Sequence, residues 1–402
     1  MNSTWTSKLP FLLLALLVGV LAVGTVVDKA GTSGPLPPVV YGQWWFVTLW
    51  ALLAVAAIFL ICRRRLWKRP AVFTLHVSFL VILLGATVTH FTSRTGMIHL
   101  REGEVAYQYM SYGREDGMLH MKTMPFLLVL DTFRVEYDAD GITPADYVSR
   151  VTIRNHGEQR QATVSMNHIA REQGFRIFQT SYDEDFRGSL FTVSYDPWGT
   201  GVTYAGYFLL AISMIWLGVQ RQRDVSPALR DTSTAQLGSS SVQHGSSSAC
   251  HRRASTVLMT ILGVLLASYM VISIAFRPLL PVLRSPLLVV HVGVIMMSYV
   301  LLVVSMVRRD VLRYAVFLLA AGIFLGAVWA NISWGSYWSW DPKETWAIIT
   351  LLVYSVPFHQ QSLPWFHEEK HYRLYSLLCL LSLLMTYFGV NYLLGGMHSY
   401  AS

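Results

Sequence analysis

Four of the 13 histidines lie inside or at the edge of long apolar segments, and these four could do chemistry. An ionisable side chain in a membrane segment is costly and is usually functional. Neutral imidazole is the common axial ligand of haem iron. For any one histidine, a hydrogen bond to a backbone carbonyl at the membrane surface is an equally good interpretation. The four candidate ligands are His76, His291, His359 and His398.

A second feature is the tryptophan loop, residues 329–346, which holds five of the 13 tryptophans. Stacked aromatic contacts favour a large planar apolar ligand, and a porphyrin fits that description. A belt at the membrane surface needs only scattered Trp and Tyr. The candidate binding residues of the loop are Trp334, Trp338, Trp340 and Asp341.

The acidic residues of the tryptophan loop, Asp341 and Glu344, have three open roles. They could pair with Lys343, hold the loop by hydrogen bonds, or contact the edge of a haem. The structural role is at least as good an explanation as a catalytic one.

The composition indicates which elements must position these residues. The chain has 402 residues, of which 53% are hydrophobic and 13% are charged. Soluble chains carry about a quarter charged residues, so the sequence excludes a disordered protein and an ordinary soluble enzyme. The net charge is +8. In a membrane protein, cytoplasmic loops rich in Lys and Arg explain such an excess better than nucleic-acid binding does. The three cysteines form no CxxC pair, so the chain has no redox dithiol or haem-attachment site of its own.

Apolar segments of about 20 residues predict membrane spans. The first could be a cleavable signal peptide, but its apolar run is long for one, and we predict an uncleaved span. The fifth follows a polar, serine-rich stretch, and the eighth is the shortest. The nine predicted spans are residues 11–27, 45–62, 72–88, 202–219, 256–276, 287–307, 314–330, 346–358 and 374–394.

Basic residues predict the orientation of these spans, because short cytoplasmic loops are rich in Lys and Arg. With the N-terminus inside, the basic loops at 63–69, 308–313 and 370–373 are all cytoplasmic. His76 and His359 then lie near the cytoplasmic face, and His291 and His398 lie near the outer face. Two pairs at two depths are what two bis-histidine haem positions require. His90 competes with His76, but its depth does not match that of His359.

The sequence predicts a polytopic α-helical membrane protein with about nine transmembrane helices and one extracytoplasmic β-rich domain. Within that domain, 147–154 and 159–166 form a predicted hairpin, and 175–178 and 191–195 are further strands. The predicted organisation is 1–91, the first three helices; 92–200, the β-rich domain; 201–219, the fourth helix; 220–254, a flexible cytoplasmic linker; and 255–402, a five-helix half with the tryptophan loop.

Residues 334–346, which run W-G-S-Y-W-S-W-D-P-K-E-T-W, resemble the tryptophan-rich WWD signature of haem-handling proteins in cytochrome c biogenesis. Residues 348–359 and 389–400 are similar to the CcsA/ResC half of the System II cytochrome c synthase. Residues 73–76, the outer domain and Y-D-P-W-G at 195–199 are similar to its ResB/CcsB partner. The whole chain, apart from the linker, resembles a fused CcsBA-type synthase.

This resemblance implies that haem b is both the substrate and the bound ligand. Matching positions assign His76 and His359 as the transmembrane haem ligands, and His291 and His398 as the external ones. It implies apocytochrome c with a CxxCH segment as partner, with thioredoxin-like thiol reductants and membrane lipid as further partners and no nucleic acid. It implies holocytochrome c synthase (haem lyase) activity on the periplasmic side of a bacterial inner membrane. No nucleophile or general acid is evident in the chain. The only catalytic feature that the sequence indicates is the site that would present haem.

Two other functions stay open at this point. A haem exporter or chaperone would deliver haem without attaching it, but it would not need a ResB-like half. A b-type electron-transfer cytochrome would explain four paired histidines, but it gives no reason for the tryptophan loop.

Overall fold

The computed structural model describes residues 5–31, 40–113, 118–142, 144–166, 168–235 and 285–394. Helices come first and last in the chain, and a block of strands lies between them. Seven helices in the described ranges are long and apolar enough to cross a membrane. A membrane protein with a β-rich domain is therefore the class that these elements support.

The N-terminal helices are α1 (Trp5–Gly31), α2 (Trp44–Arg63) and α3 (Pro70–Thr92), and α4 (Gly199–Ala235) follows the strands. The helix α3 leads into the strands and α4 leads out of them. Asp196 begins α4 by accepting hydrogen bonds from the backbone N–H groups of Gly199 (2.9 Å) and Thr200 (2.8 Å). The Thr89 hydroxyl of α3 donates to the same carboxylate at 2.9 Å. One acid therefore joins the two helices where the β-domain begins and ends.

The β-domain is one eight-stranded antiparallel sheet in the order β5-β4-β3-β2-β1-β8-β7-β6. The predicted hairpin is confirmed, because β4 pairs with β5 from Asn155–Glu158 to Ser149–Val164. Its turn places His156 and Gly157 at φ of 45° and 88°, as a tight primed turn requires. The strands are β1 (Arg94–Arg101), β2 (Val105–Tyr112), β3 (Leu119–Tyr137), β4 (Pro144–Asn155), β5 (Glu158–Val164), β6 (Ala170–Glu172), β7 (Phe175–Tyr182) and β8 (Gly188–Tyr195).

The sheet curls so that its two ends enclose an apolar core. Alternate residues of the central strands are fully buried, including Leu128, Val151, Ile177 and Val193. A hydrogen bond joins two strands that are not neighbours in the sheet: the Ser149 hydroxyl of β4 donates to the Gln179 side chain of β7 at 2.7 Å. Burial of alternate residues is the pattern that gives a strand one core face.

The C-terminal helices are α5 (Pro286–Ser305), α6 (Leu312–Ser333), α7 (Pro342–Ser355) and α8 (Glu369–Leu384), which continues as a π-helix over Met385–Leu394. The helix α6 lies at the centre of this half, with Leu319 and Ala315 fully buried. The predicted fifth span, 256–276, lies outside the described residues.

Three boundaries differ from the sequence predictions. The predicted eighth span, 346–358, lies mostly in α7, which begins four residues earlier and whose 14 residues cover about 21 Å. It ends in the 3-10 turn Val356–His359, whose second residue is Pro357. The helix α4 continues to Ala235, so residues 220–235 of the predicted linker are helical. The tryptophan loop is irregular only over 334–341.

Candidate functional site

The structure brings His76 of α3 and His359 of the turn after α7 into ring contact. Their ring centroids are 6.1 Å apart and the ring planes are perpendicular, at 90°. Phe11 of α1 packs edge-on against His359, with centroids 5.4 Å apart. We call His76 and His359 the inner pair. With Phe11, the pair joins three elements that are distant in sequence.

Backbone contact fixes the orientation of His76, because its Nδ1 lies 2.8 Å from the Val72 carbonyl oxygen, one turn earlier in α3. If Nδ1–H donates to that carbonyl, Nε2 is the nitrogen that would ligate a metal. At a rise of about 1.5 Å per residue, His90 lies roughly 21 Å further along α3. Its ring contacts Phe91 instead, at 5.1 Å between centroids.

The inner pair lies at the end of the bundle where the basic loops meet. Arg64, just after α2, lies 3.5 Å from the Ser362 hydroxyl, just after His359. The Arg309 guanidinium, before α6, lies 4.5 Å over the Tyr372 ring at the start of α8. The other end of α3 carries the β-domain. The contacts therefore group the basic loops at one end and the β-domain at the other.

The candidate ligand His291 lies near the start of α5 and packs against α6. Its Nδ1 lies 2.7 Å from the Gly322 carbonyl oxygen, so the orientation of this ring is fixed in the same way as that of His76. A Cβ added at Gly326 would lie 2.5 Å from the His291 ring, so the ring occupies the space that this glycine leaves. His398 lies outside the described residues, and the final helical segment ends at Leu394.

The rings of the tryptophan loop do not lie in one plane. Trp338 and Trp340 are nearly perpendicular, at 85°, with centroids 5.8 Å apart. Trp334 packs edge-on against Trp329 at 4.8 Å. Tyr41, before α2, stacks on Trp340 at 4.9 Å and 16°. The expected flat platform is therefore an angular cluster, in which one face of Trp340 is covered by the N-terminal half.

The acidic residues of the tryptophan loop hold its backbone. Asp341 is buried and caps α7, because its Oδ1 accepts the Lys343 backbone N–H at 2.9 Å. Glu344 Oε2 accepts from the Ser339 backbone N–H at 2.8 Å and lies 3.2 Å from its hydroxyl. Among the three open roles, this geometry supports the structural one. A cap of this kind contributes about 1 kcal/mol to helix stability.

Lys343 is a residue of this site that the sequence prediction considered only as a partner for Asp341 and Glu344. Its Nζ donates to Asn391 Oδ1 of the final helical segment at 3.2 Å. Thr386 of the same segment donates to the Trp346 carbonyl oxygen at 3.0 Å. These bonds tie α7 to the segment that leads towards His398.

The β-domain also contacts the tryptophan loop, which the sequence did not predict. Beside the β-domain, the Tyr337 hydroxyl donates to Thr89 Oγ1 of α3 at 2.8 Å, next to the Asp196 cap. The Gly335 carbonyl oxygen accepts from the Ser194 hydroxyl of β8 at 3.0 Å and from Arg176 of β7 at 3.1 Å. Nothing in the sequence around Arg176, which lies between two apolar strand residues, predicts a contact with a residue as distant in the chain as Gly335.

Gly335→Ala should lower the midpoint of thermal unfolding and the yield of folded protein. Gly335 has φ +76°, and an added Cβ would lie 2.1 Å from the Phe178 ring of β7. The left-handed backbone costs a non-glycine residue about 1–2 kcal/mol, and overpacking adds about 1–3 kcal/mol. Gly141→Ala is the control, because Gly141 has φ +68° with nothing within 4 Å. Equal losses in both variants would contradict the close contact with Phe178.

Family models match both halves of the chain. Residues 59–205 match the ResB-like family, and residues 305–398 match the cytochrome C assembly protein family. The predicted resemblance is therefore confirmed: the chain joins a ResB-like region and a cytochrome c assembly region, as a fused CcsBA-type System II protein does. His76 lies in the first region, and His359 and His398 lie in the second.

The chain is also similar to curated proteins, including two that are named for cytochrome c biogenesis. Protein NrfI of Wolinella succinogenes is 56% identical over 88 residues, which are 21% of this chain and 9% of that protein. The cytochrome c biogenesis protein CcsA of Chlamydomonas reinhardtii is 35% identical over 152 residues, 31% of this chain and 43% of that protein. CcsA of Synechococcus sp. (strain CC9902) is 34% identical over 178 residues, 31% of this chain and 58% of that protein.

The chain thus spans less than two thirds of each of these relatives. Together, the matches support a role in cytochrome c biogenesis.

Proposed function

We propose that the chain moves haem b across a bacterial cytoplasmic membrane and attaches it to the CxxCH segment of an apocytochrome c at the outer face. Haem is the substrate in both steps. The inner pair receives it near the basic loops, and the outer site under the tryptophan loop presents it to the apocytochrome. Membrane lipid surrounds the helices, and thioredoxin-like reductants would keep the thiols of the apocytochrome reduced.

The observation that carries this proposal is the approach of His76 to His359. Two imidazoles that ligate one metal ion, each about 2 Å from it, have ring centres roughly 6 Å apart. The centroid distance of 6.1 Å agrees with that value. The two residues come from the ResB-like and the cytochrome c assembly regions, so a shared haem would need both halves.

The outer site is supported by the orientation of His291 and by the contacts around the tryptophan loop. If Nδ1–H of His291 donates to the Gly322 carbonyl oxygen, Nε2 is the nitrogen that would ligate iron. The Lys343–Asn391 bond directs the final segment towards the same end of the bundle. His398 would supply the second axial ligand, and the apocytochrome histidine would displace one of the two.

The attachment is an addition and needs no net oxidant. Each cysteine S–H adds across a haem vinyl group, so that a carbon–sulfur bond forms and the proton ends on the other vinyl carbon. Bis-histidine ligation would help to keep the iron reduced and guard it from oxygen. The contribution of the protein is positioning, which turns a bimolecular encounter into an oriented one. The tryptophan cluster and Asp341 would hold the porphyrin edge and the loop.

One experiment distinguishes the proposed synthase from a haem exporter or chaperone and from a b-type electron-transfer cytochrome. The chain is expressed in a bacterium that lacks its own cytochrome c maturation genes, together with a reporter containing CxxCH. We expect reporter that keeps its haem stain after denaturation. Haem-loaded chain without stained reporter would contradict the synthase and favour an exporter or a b-type electron-transfer cytochrome.

A further inference from the structure

The guanidinium of Arg176 connects the β-domain to the tryptophan loop. Its Nη1 donates to Asn331 Oδ1 near the end of α6 at 2.6 Å, and its Nη2 donates to the Gly335 carbonyl oxygen at 3.1 Å. Arg176 lies in the ResB-like region, and both acceptors lie in the cytochrome c assembly region. One side chain therefore joins the two regions at the outer end of the bundle.

These two bonds hold the backbone on both sides of Trp334. Asn331 precedes Trp334 in the last turn of α6, and its amide also donates to the Tyr204 hydroxyl of α4 at 2.7 Å. Gly335 follows Trp334, and Ser194 donates to the same carbonyl oxygen as Arg176. The position of the first tryptophan of the irregular segment thus depends on side chains of the β-domain and α4.

The Arg176 guanidinium donates its hydrogen bonds to uncharged groups. Within the described ranges, no carboxylate lies at ion-pair distance from Arg176, and its acceptors are an amide, a carbonyl and, at 3.4 Å, the Ser194 hydroxyl. Burial lowers the pKa of this guanidinium, while the charge of Asp196 opposes the shift. An arginine keeps its charge in proteins, and hydrogen bonds to a charged group are stronger than neutral ones.

We propose that Arg176 is a positioning residue for the tryptophan loop, through which the β-domain sets the loop in the arrangement that presents haem. This inference rests on the proposed function. It gives the β-domain a physical role in the outer site. The guanidinium would act through the backbone around Trp334 and would not itself touch the haem.

Reporter maturation tests the consequence for the reaction. Arg176→Met should lower the rate at least tenfold, roughly the loss of one charged hydrogen bond. Arg176→Lys, which keeps the charge but has one donor nitrogen in place of the two that bind Asn331 and Gly335, should lie between Arg176→Met and the native chain. Arg154→Met is the matched control, because Arg154 is an exposed arginine of β4 in the same domain. It should mature the reporter at the native rate.

Cysteine labelling tests the loop directly and separates positioning from folding. In a chain whose native cysteines are replaced by serine, Ser333→Cys reports on the buried end of α6, and Ser189→Cys reports on the buried interior of the β-domain. A membrane-impermeant maleimide is added to intact cells. Arg176→Met should increase labelling at position 333 severalfold and leave position 189 protected. Arg154→Met should leave both positions protected.

Two results would overturn the inference. One is native maturation and native labelling in Arg176→Met. The other is equal exposure of positions 333 and 189, which would mean that Arg176 only stabilises the β-domain. If the native chain matures no reporter, the proposed function fails, whereas the labelling comparison still decides whether Arg176 holds the loop.

Discussion

His76→Ala or His359→Ala should reduce the haem that copurifies with the chain at least tenfold and abolish reporter maturation. The two ring centroids lie 6.1 Å apart with perpendicular ring planes. In the proposed function each imidazole is one of two ligands of the haem iron, so each variant would remove one ligand. Loss even of a supporting partner of a metal ligand typically costs 10–100-fold in affinity. Haem content per protein and haem-stained reporter are measured in variants made at equal levels.

His90→Ala is the control for the inner pair, because His90 lies on the same helix about four turns away. It should keep most of its haem. His359→Met gives a second check, since a thioether is also an axial ligand of haem iron and raises its potential. This variant should retain more haem than His359→Ala, with an altered spectrum. A severe His90→Ala variant beside a harmless His76→Ala variant would show that the depth argument selected the wrong residue.

The inner pair could be predicted because it depends only on topology. The alternation of basic loops fixes which end of each span lies inside, and the position of a histidine along its span then fixes its depth. His76 and His359 share a depth by this argument, and the structure places their rings together. The same argument excluded His90 correctly from this contact. The β4–β5 hairpin was predictable for a comparable reason, since its strands and its turn are adjacent in sequence.

The orientation of the aromatic rings and the contacts between the two halves could not be predicted. They depend on residues far apart in the chain, such as Tyr41 on Trp340 and Arg176 on Gly335. No local pattern encodes such pairs. The predicted eighth span was already the shortest of the nine, but hydropathy alone did not show that its last residues, around Pro357, form a 3-10 turn. Tertiary packing decided each of these features.

The contacts across the two halves explain why one chain would carry both regions. At one end of the bundle, His76 and His359 meet; at the other, Arg176 and Ser194 hold Gly335. Each candidate haem position therefore has neighbours from both regions. Fusion keeps the two partners at a high effective concentration, which makes these contacts intramolecular.

The second large effect is expected at the outer site, where His291→Ala should abolish reporter maturation and added imidazole should restore part of it. The role of His291 in this proposal is to occupy a coordination position, so a small ligand can replace its side chain. Haem bound at the inner pair should remain, because His76 and His359 are unchanged. Haem-stained reporter is measured across a series of imidazole concentrations, with total haem per protein measured in parallel.

Two glycine variants make the His291 test specific. Gly326→Ala places a Cβ 2.5 Å from the His291 ring, so it should displace the ring and lower maturation without removing the imidazole. Gly293→Ala, on α5 with nothing within 4 Å of its added Cβ, should mature the reporter normally. The space between Gly322 and Gly326 is narrow, so a displaced ring would lose its contact with the Gly322 carbonyl oxygen and the orientation that the proposed function requires of it. Normal maturation in both His291→Ala and Gly326→Ala would show that haem is presented at the tryptophan loop without this ligand.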